Sequence, residues 1–118
     1  MIDLSIEHLN SVKTILKKHV PDHQVMIFGS RANQTAKKHS DLDLCLIGDQ
    51  PLSLKQMGIL REAFSDSSLP FRVDLVDWIT TDPEFKAIIE KQSVQILPES
   101  EYREGAKALT QFAVERFN

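Results

Sequence analysis

Three segments of the chain space their apolar residues three and four positions apart, which is the pattern of an amphipathic helix. They are residues 6–20, 54–64 and 81–91. Ser5 can cap the first helix and Pro21 ends it, while Thr81, Pro83 and Glu84 resemble a capping box with an early proline at the start of the third. We therefore predict three helices that each bury one face.

Four shorter segments have the composition or the two-residue alternation of β-strands. They are residues 24–28, 41–47, 71–78 and 94–97. Gly29 halts the first of these, and Ser30 is placed to cap a short helix that begins at Arg31. Helices and strands thus alternate along the chain, which predicts an α/β or α+β fold with a small mixed β-sheet packed by helices.

The length of 118 residues and the 42% of apolar residues fit one domain with its own core. We expect residues 1–98 to form this domain and residues 99–118 to add a helical extension to it. The extension has an amphipathic pattern over residues 101–117, in which Tyr102, Leu109 and Phe112 could face a core or a partner.

Charge and apolar runs exclude some classes of protein. The longest apolar runs are far shorter than a bilayer span, and the lone Cys45 sits among apolar residues as a core residue would, so we expect a soluble cytoplasmic protein. The net charge is −3 and the basic residues are scattered, so no broad surface suggests a nucleic-acid partner.

Two aspartates stand two residues apart in the second predicted strand. Because alternate side chains of a strand leave the same face, Asp41 and Asp43 can converge on one site. Carboxylates this close repel each other unless a divalent cation neutralises them, and hard oxygen ligands suit Mg²⁺ or Mn²⁺. A polar sheet face is the alternative, and for an isolated Asp-x-Asp pair it is the commoner one.

The turn at Gly29 and Ser30 favours the metal-binding interpretation of Asp41 and Asp43 over a polar sheet face. It lies at the end of the preceding strand, where glycine permits close approach to the backbone and free N–H groups at a helix start attract phosphate oxygens. A lone Gly-Ser turn is usually only a turn. A phosphate-binding turn followed by a metal-binding pair of acids is much more specific than either feature alone.

Asp74 is the best candidate for a third acid. It lies centrally in an apolar strand, where an unpaired carboxylate would be costly to bury. The alternative is a salt bridge, for which Arg72 on the same face is the nearest partner. Asp77 projects to the opposite face, and a surface or capping role is expected for it.

These residues together resemble the DNA polymerase β-like nucleotidyltransferase superfamily, whose signature is Gly-Ser, a spacer, Asp-x-Asp and a distant third acid. The matching stretches are Gly29-Ser30-Arg31-Ala32, Ser40-Asp41-Leu42-Asp43-Leu44 and Val73-Asp74-Leu75. The resemblance covers about residues 5–98. Within the superfamily, the short chain is similar to the minimal nucleotidyltransferases that act as antitoxins beside HEPN-domain ribonuclease toxins.

The resemblance implies a mechanism. Asp41, Asp43 and Asp74 would bind two Mg²⁺ ions, with Mn²⁺ as the alternative, and Asp74 would also help to activate the acceptor hydroxyl. The turn at Gly29 and Ser30 would hold the triphosphate of ATP, and Arg31 could add positive charge beside it. The acceptor would be a tyrosine of a HEPN toxin, which would be neutralised by transfer of AMP.

One position departs from the family pattern: Gln34 stands where many members have glycine. If this position needs a positive φ angle, glutamine is strained there and the loop has a different shape. Two other functions stay open, namely a non-catalytic antitoxin that only binds the toxin and a small-molecule enzyme of the aminoglycoside nucleotidyltransferase kind.

Overall fold

The computed structural model describes residues 2–99, and over this range the predicted order of helices and strands is confirmed. The helices are α1 (Ile6–His19), α2 (Leu54–Ser65) and α3 (Pro83–Lys91), and the strands are β1 (Gln24–Phe28), β2 (Leu42–Ile47), β3 (Val73–Asp77) and β4 (Ser93–Leu97). Short 3-10 turns, Gly29–Arg31 and Trp78–Thr80, follow β1 and β3. The predicted C-terminal helix, residues 101–117, lies outside the described residues.

The first two helices begin with side-chain caps. The Ser5 hydroxyl accepts a hydrogen bond from the His8 N–H at 3.1 Å, as predicted for α1. At α2, Ser53 and Gln56 form a reciprocal capping box, in which each side chain accepts from the backbone N–H of the other. These caps satisfy N–H groups that the first turn of a helix leaves without partners.

The predicted cap of α3 is wrong. Asp82, rather than Thr81, precedes the helix, and its carboxylate accepts from the Phe85 N–H at 2.9 Å. The Thr81 hydroxyl instead donates to the backbone carbonyl of Asp77 at 2.7 Å. Aspartate at the cap and proline at the first helical position explain the start of α3 without a capping box.

The four strands form one mixed sheet in the order β3-β2-β1-β4. β1 is antiparallel to both β2 and β4, and β2 is parallel to β3. Within residues 2–99, β3 is therefore an edge strand and pairs only with β2. The mixed sheet packed by helices confirms the predicted fold class.

The two faces of the sheet bury different clusters. On one face α1 and α2 cover a large apolar core, which includes Val12, Leu16, Ile27, Leu44, Leu46, Leu60, Phe64 and Leu75. On the other face α3 and the second 3-10 turn cover a smaller one, which includes Met26, Phe28, Cys45, Ile47, Trp78 and Ile89. Cys45 is a buried core residue, as predicted, and burial raises the pKa of its thiol to about 12.

No helix within residues 2–99 is long and apolar enough to cross a membrane.

Candidate active site

The turn that follows β1 is shaped by close packing between Gly29 and Asp43. Gly29 has a φ of +76°, in the region that favours glycine. A Cβ at this position would overlap Oδ2 of Asp43 and would lie 3.2 Å from its Cγ. Ser30 follows in the same 3-10 turn and is partly exposed. The glycine thus lets the backbone of the turn approach an acid of the Asp-x-Asp motif.

Asp43 and Asp74 are direct neighbours across two strands. In the parallel register of β2 and β3, Asp43 lies opposite Asp74. Neighbouring strands are about 4.8 Å apart, and residues in register send their side chains to the same face. The prediction from strand alternation that placed Asp74 with the Asp-x-Asp motif therefore agrees with the sheet.

The electrostatics of this pair are unfavourable to two negative charges. The pKa of Asp43 is raised from its ordinary value of 3.8 to about 6, chiefly by burial and then by the charges of Asp74 and Asp41, while Arg72 opposes the rise. Desolvation and like charge both disfavour the ionised carboxylate. A cation at this position would relieve both costs.

The Arg72 guanidinium contacts the carboxylates of both Asp41 and Asp74. Its Nη2 lies 3.0 Å from Oδ2 of Asp41 and 3.5 Å from Oδ2 of Asp74, and its Nε lies 3.4 Å from Oδ1 of Asp74. Asp41 precedes β2 rather than lying within it. Among residues 2–99, no three His, Cys, Asp or Glu side chains are arranged as a ready ion site. The guanidinium is therefore the positive charge that two of the three acids contact here.

A cleft of about 1150 Å³ opens at Asp43 and Asp74, whereas Asp41 is not among its lining residues. Gly29 and Asn33 line it on the side of the turn, and Asp43 and Asp74 are also among its lining residues. Beyond the acids it follows β3, where α2 contributes Arg61 and α3 contributes further side chains. The cleft has the size of a small-molecule site and extends beyond the acids in the direction of the sheet edge.

Arg31 has a position different from the one predicted. Its side chain is buried, and its Nε and Nη2 donate to the carbonyl of Ser40 at 3.1 and 2.8 Å, while Nη1 donates to the carbonyl of Asp3 at 2.9 Å. The guanidinium also lies 4.3 Å from the centroid of the Phe71 ring. Arg31 therefore holds three chain segments together, and its role beside the nucleotide stays a prediction.

Asp77 has the capping role that was one of its two expected roles. Its Oδ1 accepts from the Ile79 N–H at 3.2 Å at the start of the 3-10 turn, and its Oδ2 accepts from the Leu52 N–H at 2.7 Å. The side chain is buried rather than at the surface. Both carboxylate oxygens serve the backbone, which separates Asp77 from the acids of the cleft.

Three cleft residues had no signal in the sequence strong enough to single them out. Asn33 follows the Gly-Ser turn by three residues, Arg61 lies on α2 and Lys91 ends α3. Each looks like an ordinary polar residue of a loop or helix surface. Their place in the cleft depends on how α2 and α3 pack on the sheet, which local periodicity does not encode.

The paired acids on a mixed sheet, beside a glycine turn, form the arrangement that the sequence predicts for a nucleotidyltransferase. The family model described as "Polymerase beta, Nucleotidyltransferase" matches residues 10–102. The chain belongs to this family.

Particular relatives agree with this assignment. The chain is 48% identical over 108 residues, which are 92% of it and 95% of the relative, to the Haemophilus influenzae protein named "Probable protein adenylyltransferase MntA". A chain of the crystal structure of the toxin–antitoxin MntA–HpeT superposes with a TM-score of 0.66 at 22% identity, over 91% of this chain and 80% of that one. A chain of the tri-AMPylated Shewanella oneidensis HEPN toxin in complex with its MNT antitoxin gives 0.59 at 18% identity, over 93% and 81%. The structural matches show the same fold.

Proposed function

We propose that this protein transfers AMP from ATP to the hydroxyl of a tyrosine in a HEPN-domain toxin. It thereby neutralises the toxin and acts as a cytoplasmic antitoxin. The observation that carries the proposal is the in-register pair Asp43 and Asp74 beside the Gly29 turn. Identity of 48% to a protein named as an adenylyltransferase supports the choice of AMP. Structures of the same fold are described with AMP-PNP and with an AMPylated HEPN toxin, which supports the choice of partner.

The donor set suits a hard divalent cation. Asp41, Asp43 and Asp74 offer only carboxylate oxygens, and a cation would offset both causes of the raised pKa of Asp43, which are burial first and the neighbouring carboxylates second. We assign two Mg²⁺ ions, or Mn²⁺ in their place, to these three residues. When bound, they would supply charge neutralisation at the α-phosphate and at the departing pyrophosphate.

The protein's own groups orient the reactants. The turn at Gly29 and Ser30 receives the triphosphate, and the Asp74 carboxylate accepts the proton of the acceptor hydroxyl. The acceptor oxygen forms a bond to the α-phosphorus, and the bond from that phosphorus to the bridging oxygen of pyrophosphate breaks. Positioning and charge account for such a transfer without a covalent intermediate on the enzyme.

The test is transfer of labelled AMP to the toxin encoded beside this gene, with ATP and Mg²⁺ present. We expect label on the toxin with the native protein, and loss of label with Asp43→Asn or Asp74→Asn. Asp22→Asn is the matched control, because Asp22 is exposed and lies outside the cleft. Inhibition of the toxin that persists without label would indicate a binding-only antitoxin, and label on an aminoglycoside instead would indicate a small-molecule enzyme.

A further inference from the structure

The cleft follows the outer edge of β3, which no other strand of residues 2–99 covers. Four consecutive residues, Val73 to Val76, all line it. Successive side chains of a strand point to opposite faces of the sheet. One cleft can contact all four only if it lies along the side of the strand, and β3 is one of the two edge strands of the sheet that residues 2–99 form.

The backbone of this edge has groups free to pair. The Leu42 N–H donates to the Arg72 carbonyl at 2.9 Å, so Arg72 turns its backbone groups to β2. By strand alternation Asp74 and Val76 do the same, whereas Val73 and Leu75 turn theirs outward. Within residues 2–99, the outward groups of Val73 and Leu75 have no hydrogen-bond partner.

We propose that this edge is the docking site for an extended segment of the acceptor protein, which adds beside β3 as a fifth strand and brings its hydroxyl to Asp74. The inference rests on the proposed function and names how its acceptor binds. Outward N–H and C=O groups that recur every second residue are the chemistry by which an exposed edge recognises an extended polypeptide.

The walls of the cleft fit such a strand. On the face that carries Asp43 and Asp74, α3 presents Phe85 and Ile88, and the Ile88 residue is 61% exposed. On the opposite face the wall includes Leu69 and Phe71, which pack against the larger core. The segment should therefore have apolar residues on both sides, with the hydroxyl residue on the side of α3.

Two cations mark the walls. Arg61 of α2 and Lys91 of α3 both line the cleft, and neither has an ion pair within the described part of the chain. Their charge favours acidic residues next to the apolar ones in the segment. A second copy of this chain paired at β3 would cover the approach to Asp74, so the acceptor is the better occupant.

The first test is amide hydrogen exchange of the full chain, alone and in complex with the toxin encoded beside its gene, without ATP. We expect the Val73 and Leu75 amides to exchange at least about tenfold more slowly in the complex. The Asp74 and Val76 amides, which face β2, are the internal control and should change little. Unchanged exchange at Val73 and Leu75 in a formed complex would overturn the proposal.

Amide exchange at Val73 and Leu75 in the protein without the toxin shows whether something else already covers the edge. Strong protection that rises with protein concentration would show that a second copy pairs with the edge. Protection that does not depend on concentration would show that another part of the same chain covers it. Either result would also overturn the proposal.

The second test is Val73→Pro, which removes one outward N–H at the first residue of an edge strand, where proline is tolerated. Val73→Ala is the matched control, because it shortens the side chain and keeps the N–H. We expect Val73→Pro to raise the KM for the toxin by about tenfold or more, with the KM for ATP within about twofold of the native value. Equal KM values for the toxin in both variants would contradict strand addition.

If Val73→Pro does not fold, the acceptor can be varied instead. The acceptors would be peptides that contain the acceptor hydroxyl and are each N-methylated at one backbone position. Transfer to these peptides should be lost when the methyl group is at every second position and kept when it is at the positions between. Loss without this alternation would contradict the proposal. Absence of label with the native protein would refute the proposed function, whereas label without edge protection would refute the docking site alone.

Discussion

The backbone of Gly29 lies so close to the Asp43 carboxylate that no side chain fits between them. The turn that we propose to bind phosphate is thus in direct contact with the acid that we propose to bind a cation. A methyl group at residue 29 would clash with the Asp43 carboxylate and displace it. The backbone cannot relieve the clash without cost, because the positive φ of Gly29 is itself strained for alanine.

Gly29→Ala should slow transfer by about 100-fold or more, because a displacement of about 1 Å at a catalytic group has that effect. Transfer of labelled AMP measures it. Gly58→Ala is the matched control: a Cβ at Gly58 meets nothing within 4 Å, and Gly58 lies inside α2. That substitution should leave transfer intact and raise stability by about 0.5–1 kcal/mol. Native rates in Gly29→Ala would separate the turn from catalysis.

Asp43→Asn should change the pH dependence of stability in the absence of divalent cations. The folded pKa of Asp43 is about 6, above its ordinary value of 3.8, so the folded chain holds this proton more tightly than the unfolded chain does. The native protein therefore loses stability from this group as the pH rises from about 4 to 6. Asparagine carries no charge and avoids the loss.

The expected difference between Asp43→Asn and the native protein is near zero at pH 4 and about 1 kcal/mol in favour of asparagine at pH 7, after a discount for solvent screening at a partly exposed group. Urea unfolding with a chelator at three pH values measures it. An equal difference at pH 4 and pH 7 would show that the charge of Asp43 is not the cause.

The sequence was sufficient to place Asp43 and Asp74 on strands, although Asp41 falls just before β2, but it was not sufficient to arrange the strands. The alternation in residues 71–78 put Asp74 and Asp77 on opposite faces, and the structure agrees. The parallel pairing that sets Asp43 opposite Asp74 comes from long-range contacts, which no local pattern records. The same limit explains Arg31, because a basic residue beside a glycine turn looks solvent-exposed until the carbonyls of Asp3 and Ser40 surround it.

Arg31→Lys should destabilise the fold more than it weakens ATP binding. Lysine cannot reproduce three donors in a planar fork or the stacking on Phe71, so we expect a loss of about 2 kcal/mol or more in the free energy of unfolding. Arg61→Lys, at an exposed position on α2, should change stability by about 0.5 kcal/mol or less. Native stability in Arg31→Lys together with a raised KM for ATP would support the predicted role of Arg31 beside the nucleotide.

Gln34 tests how much strain the phosphate loop tolerates. Its φ is +63°, so the loop keeps the left-handed conformation for which many family members use glycine. The left-handed conformation costs a residue with a Cβ about 1–2 kcal/mol. Glycine avoids this cost but loses more backbone entropy on folding, which costs roughly 0.5–1 kcal/mol. Gln34→Gly should therefore raise stability by about 0.5 kcal/mol, and Gln34→Val should lower it, because a β-branched residue is the least suited to positive φ.

The control is the same pair of substitutions at Gln50, which is exposed and has no positive φ. There glycine should be the less stable variant, since it gains nothing in conformation and still costs entropy. Thermal unfolding of the four variants gives the two orders. Opposite orders at residues 34 and 50 are expected because residue 34 has a positive φ and residue 50 does not. The same order at both would mean that Gln34 relaxes out of the left-handed region, and the loop beside Asn33 would then differ from that of its glycine-bearing relatives.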